Sequence, residues 1–117
     1  MKNLTNTTLI GGINMSRTTY IVNCRDAAAA NAVAEKILRE EKFDYISEKG
    51  ENVWKCGNGT WAAIKYIKLS IVDPNTLHIT GWVKSDVGGE MNLDGIFGGM
   101  PKKQTVKVIK RIQASIL

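Results

Sequence analysis

"WAAIKYIKLSIVDPNTLHITGWVK", residues 61–84, decides the fold. Two runs rich in β-branched and apolar residues flank the tetrapeptide DPNT. Pro74 presets φ for the first central position of a turn, and Asp73 and Asn75 support it through their side chains. The stretch therefore predicts a β-hairpin, with a long strand over 61–72 and a returning strand over 77–84. In the first strand Ile67, Leu69 and Ile71 alternate with Tyr66, Lys68 and Ser70. In the second, Leu77, Ile79, Gly81 and Val83 alternate with His78, Thr80, Trp82 and Lys84. An odd-length loop pairs Ile71 with Ile79 and Ile67 with Val83, and likewise Lys68 with Trp82 and Tyr66 with Lys84. The alternative register would mix apolar and charged residues on both sides. One face is thus apolar and suited to a core. The other carries Tyr66, Lys68, His78, Thr80, Trp82 and Lys84, and Trp54 is expected to join it from the neighbouring strand.

Upstream, "TTYIVNC" (18–24) reads as a strand. Asp26 follows as an N-cap, and Ala30, Val33, Ala34, Ile37 and Leu38 recur at helical spacing over "AAAANAVAEKILREEKF". "DYISEKGENVWKC" (44–56) predicts two short strands around Gly50. Downstream, "SDVGGEMNLDGIFGGM" (85–100) is a glycine-rich connection with a short strand at Glu90–Leu93, and a helix runs from Pro101 to the end. Residues 1–16 are polar and read as a flexible leader, with an edge strand at Thr8–Ile10 at most. Residues 17–117 form one domain of ordinary size. The order β-α-β-β-β-β-α predicts an α+β domain, a mostly antiparallel sheet with two helices on one face. That order resembles a single repeat of the TATA-binding-protein-like fold.

Apolar residues make up 44% of the chain and charged residues 23%, a globular balance. No apolar run approaches the roughly 18–20 residues of a membrane helix, and no signal peptide is read, so a cytoplasmic location is expected. The net charge of +5 has an uneven origin. Residues 1–100 carry 11 Lys/Arg and 11 Asp/Glu, whereas residues 101–117 carry Lys102, Lys103, Lys107, Lys110 and Arg111 and no acid. On a helical wheel Val108, Ile112, Thr105, Ile116, Ile109 and Val106 fill one arc, and Lys103, Lys107, Lys110 and Arg111 the adjacent one. The last helix thus presents a basic face.

Candidate chemistry is sparse. His78 is the only histidine and has no partner at metal-ligand spacing. Cys24 and Cys56 read as isolated thiols in strands. Asp86, Glu90 and Asp94 are four apart, but Gly88, Gly89 and Gly95 oppose a helix there. The glycine stretch matches neither a Walker A nor a dinucleotide fingerprint. Lys102 and Lys103 do stand in the first turn of a helix, where cations oppose the macrodipole and a bound anion would reverse the sign. Gly98, Gly99, Lys102 and Lys103 are therefore a candidate anion site. No catalytic residue, metal or cofactor emerges, and the chain reads as a binding module.

"VWKCGNGTWAAIKYIKLSI", "LHITGWV" and "GIFGGMPKKQTVKVIKRI" together resemble a family of small uncharacterised bacterial domains with a "GFxGxxPKK" segment before a basic C-terminal helix. Some members are joined to zinc ribbons. The resemblance implies a compact domain used as a module and carries no ligand with it. Two uses are then expected. The first is self-association or a protein partner on the open sheet face. The alternative is nucleic acid or another polyanion, held by the aromatic and lysine side chains of that face or by the basic helix.

Overall fold

The computed structural model describes residues 5–7, 16–57, 63–84, 89–93 and 99–116. In chain order the elements are β1 (Thr5–Thr7), β2 (Thr18–Asn23), α1 (Ala27–Glu40), β3 (Asp44–Glu48), β4 (Glu51–Cys56), β5 (Ile64–Asp73), β6 (Thr76–Lys84), β7 (Glu90–Met91) and α2 (Gly99–Ile116). The strands form one antiparallel sheet in the order β1-β2-β6-β5-β4-β3. β7 continues along β6 beyond the start of β2, pairing Met91 with Val83, two residues past the Thr18–Gly81 pair. The α+β class and the hairpin are as the sequence predicts. The strand expected at Thr8–Ile10 lies outside the described residues; within the leader, β1 is Thr5–Thr7.

The hairpin register differs from the expectation. Ile71 pairs with Leu77, Leu69 with Ile79, Ile67 with Gly81, Tyr66 with Trp82 and Lys68 with Thr80. A bulge between Ile71 and Asp73 takes up one residue of β5 and leaves a two-residue loop, Pro74-Asn75, where an odd loop was expected. The turn is held from outside as well. Asn75 Nδ2 donates to the carbonyls of Cys24 and Arg25, and the Ala27 N–H donates to the Pro74 carbonyl. The resulting shift of each partner by two positions keeps every side chain on its expected face.

Both helices pack on the apolar side. Asp26 caps α1 by accepting from the Ala28 and Ala29 N–H groups, as its sequence position predicts. Ala30, Ala34, Ile37 and Leu38 of α1 and Val108, Ile109 and Ile112 of α2 close over Tyr20, Val22, Ile67, Leu77, Ile79 and Val83 of the sheet. Gly81 lets α2 come close. A Cβ there would lie 2.8 Å from Leu93 Cδ1 and 3.0 Å from Ile109 Cδ1. Arg111 fastens α2 to α1 by ion pairs with Glu40 and Glu41. Trp54 belongs to this side too. It pairs with Ile67, is buried in the core, and lies 5.0 Å from the Tyr45 ring with Arg39 above it. The expectation that Trp54 joins the open face is corrected, because β4 enters the sheet with Val53 and Lys55 on that face instead.

Candidate functional site

The helix-free side of the sheet brings together Tyr66, Lys68, His78, Thr80, Trp82 and Lys84. It is not an open aromatic platform. Tyr66 and Trp82 stack at 5.1 Å between centroids, nearly parallel at 8°, and are only 3% and 2% exposed. Their cover is polar and comes from elements the hairpin alone does not reveal. Arg17, just before β2, lays its guanidinium 3.6 Å from the centre of the Trp82 ring. That guanidinium is held on both sides. Nη1 and Nη2 donate to Glu51 at 3.0 and 2.9 Å, and Nε and Nη2 donate to Glu90 at 2.8 and 2.7 Å. Tyr66 donates its hydroxyl proton to Glu48 at 2.6 Å, while Lys55 and Lys68 pair with Glu48 and Glu51. Thr19 and Thr80 share a hydrogen bond at 3.0 Å.

The electrostatics of this network follow from its geometry. Hydrogen bonds from Arg17 hold Glu51 at about 2, outweighing the opposing effect of burial. The same guanidinium pulls Glu90 down, and Tyr66 followed by Lys55 pulls Glu48 down. Burial, with the Glu48 carboxylate beside it, drives the Tyr66 hydroxyl well above its usual range. Each carboxylate is thus ionised and already satisfied. The hollow left among Arg17, Glu51, Tyr66 and Trp82 measures about 30 Å³, the space of one water. Neither a nucleobase nor a substrate has room against the aromatic pair.

The second surface is α2. Lys103, Lys107 and Lys110 are exposed and, among the described residues, have no ion-pair partner. Arg111, expected on the same face, instead joins the two helices. Lys102, expected in the first turn of the helix as part of a candidate anion site, is buried, at 6% exposed. Gly99 begins α2 at φ +36°, and Gly98 lies outside the described residues. Lys102, Lys103, Lys107 and Lys110 line a hollow of about 650 Å³ with Leu93, Val106 and Gly99. Lys107 also borders a second hollow of about 520 Å³ on the other flank of the helix, beside Lys65 and Arg111.

Asp73 accepts from the Asn75 N–H in the hairpin turn, and Asp86 and Asp94 lie outside the described residues. Cys24 and Cys56 are free thiols, and burial pushes the Cys24 thiol up, away from a nucleophile's range. Among the described residues, no group of three or more His, Cys, Asp or Glu stands ready to hold a metal, and no helix is long and apolar enough to cross a membrane. Sequence reasoning missed Arg17, Glu48 and Glu51. The only local signal for Arg17 is alternation, which sets it on the same side of the chain as Thr19 and Ile21. No family model, no curated protein and no solved structure matches this chain, so its role rests on the side chains just described.

Proposed function

We propose that the domain is a non-catalytic binding module for polyanions, with the phosphate backbone of nucleic acid as the ligand class, and that α2 is the contact. The observation that carries this reading is the contrast between two sets of cations. On the sheet face Arg17, Lys55 and Lys68 are each matched to a carboxylate of the same molecule. On α2, Lys103, Lys107 and Lys110 are exposed and unmatched among the described residues, in a helix without a single acid. They lie within about 11 Å along the axis, at 1.5 Å per residue. Such a stripe meets phosphates without reading bases.

The sheet face is less suited to a partner than its composition suggests. Its aromatic rings are buried, so neither a base nor an apolar protein patch reaches them. The basic helix therefore takes precedence over self-association on that face.

Titration of labelled duplex at two salt concentrations tests the proposal. Three phosphate contacts give a slope near −2.7 in log K against log salt, or about fortyfold weaker binding between 50 and 200 mM. Absence of binding at the lower salt removes the proposal.

A further inference from the structure

We infer that α2 takes one phosphodiester strand at a time, along a single flank of the helix, and does not enter the groove of a duplex. The inference rests on the polyanion reading of α2. It adds which form of nucleic acid the helix accepts: single strand and duplex alike, each through one backbone.

The distribution of charge around the helix carries this. At 100° per residue, Lys110, Lys103 and Lys107 lie within an arc of about 60°. Along the axis Lys103 and Lys107 are about 6 Å apart, and Lys107 and Lys110 about 4.5 Å, so the three form a line. Arg111 and Gln104 come next around the helix, and there the excess charge stops. Arg111 is shared between Glu40 and Glu41, two acids for one arginine. Gln104 is neutral and accepts from Lys65 Nζ of β5 at 3.1 Å. Glu41, Lys65 and Arg111 border the hollow on that flank. With Glu40 beside them, their charges balance. Lys103, Lys107 and Lys110 are exposed and carry three positive charges with no ion-pair partner among the described residues.

A helix seated in the major groove has a row of phosphates on each side. Among the described residues, α2 offers unmatched cations to one row only. The second row would run against Glu40 and Glu41, where α1 ends. One backbone laid along the line meets three lysines and keeps its phosphates away from those acids. That contact needs neither base pairing nor a groove, so an unpaired strand offers it as well as a duplex does.

Salt titrations of the full chain with a labelled single-stranded oligonucleotide, and with the duplex of the same sequence, test the inference. Three contacts in each case give slopes of log K against log salt near −2.1 for the single strand and −2.7 for the duplex. The two affinities at 50 mM salt are expected to agree within about tenfold. Lys110→Ala is expected to flatten the duplex slope by about 0.9 and to weaken binding about tenfold, whereas Lys65→Ala leaves the slope unchanged and the affinity within about twofold. The inference is overturned if the duplex slope is steeper than about −3.6, the value for four contacts. It is also overturned if the single strand binds more than about tenfold more weakly than the duplex, or if Lys65→Ala costs as much as Lys110→Ala, since Lys65 stands on the flank that a second strand would use. Any of these results with the duplex still bound sinks this inference alone. No binding of the duplex at the lower salt removes the polyanion reading and this inference together.

Discussion

Arg17 is the residue on which the sheet face depends. Its side chain is 15% exposed, stacks on Trp82, and satisfies Glu51 and Glu90 at once. Arg17→Ala leaves two carboxylates facing each other over an uncovered ring. We expect a loss of about 2–3 kcal/mol in denaturant unfolding and a red shift of tryptophan emission. The pH dependence follows from Glu51. Its folded value is about 2, against about 4.3 in an unfolded chain. Its contribution is therefore complete above roughly pH 5 and disappears as pH falls from there toward 2. Glu51→Gln should flatten the acid limb of the stability curve within that window, and an unchanged limb would count against the assignment. Which face Tyr66 and Trp82 occupy was legible from alternation. That the face is closed was not, because Arg17, Glu51 and Glu90 come from three separated parts of the chain.

At the scale of elements, the helix α1 and the hairpin were readable because their signals are local: an N-cap, an apolar stripe, a proline turn. The register of β5 against β6 was not. It depends on a bulge and on the docking of Asn75 and Pro74 against the start of α1, and neither leaves a mark inside the hairpin sequence. The end of α1 shows the same limit. The Phe43 N–H donates to the Leu38 carbonyl and the Lys42 N–H to the Arg39 carbonyl, a Schellman closure, with Lys42 at φ +71° where glycine is usual. Lys42→Gly relieves that left-handed conformation at some cost in unfolded-chain entropy. We expect a net gain of about 0.5–1 kcal/mol and a melting temperature raised by about 3 °C. A lower melting temperature would show that the lysine side chain contributes more than its backbone costs. The turn between β3 and β4 repeats the theme, with Lys49 and Gly50 both at positive φ, and there glycine at the second position made the turn legible.

For the whole molecule, the net charge of +5 is unevenly matched: Arg17, Lys55 and Lys68 on the sheet face are paired with Glu48, Glu51 and Glu90, whereas Lys103, Lys107 and Lys110 on α2 have no ion-pair partner among the described residues. Reversing Lys103, Lys107 and Lys110 to Glu removes two charges at each site and takes the chain from +5 to −1. Reversing the exposed Lys36, Lys42 and Lys49 instead gives the same total. If binding follows the local field of the helix, the first triple variant loses duplex affinity by about a hundredfold and the second by much less. Equal losses would mean that net charge alone attracts the ligand. The basic helix was visible in the sequence because its charge is continuous. The part played by Arg111 was not, since its partners Glu40 and Glu41 stand seventy positions upstream.

That role of Arg111 has a consequence of its own. The one arginine of α2 is committed to the other helix, so the cations of α2 that have no ion-pair partner among the described residues are lysines alone. An ammonium group loses its charge when it is acylated, whereas a guanidinium keeps its charge under methylation. The outer face of α2 is therefore chemically erasable: acetylation of Lys103, Lys107 and Lys110 would silence it and leave the bond between the helices, and with it the fold, intact.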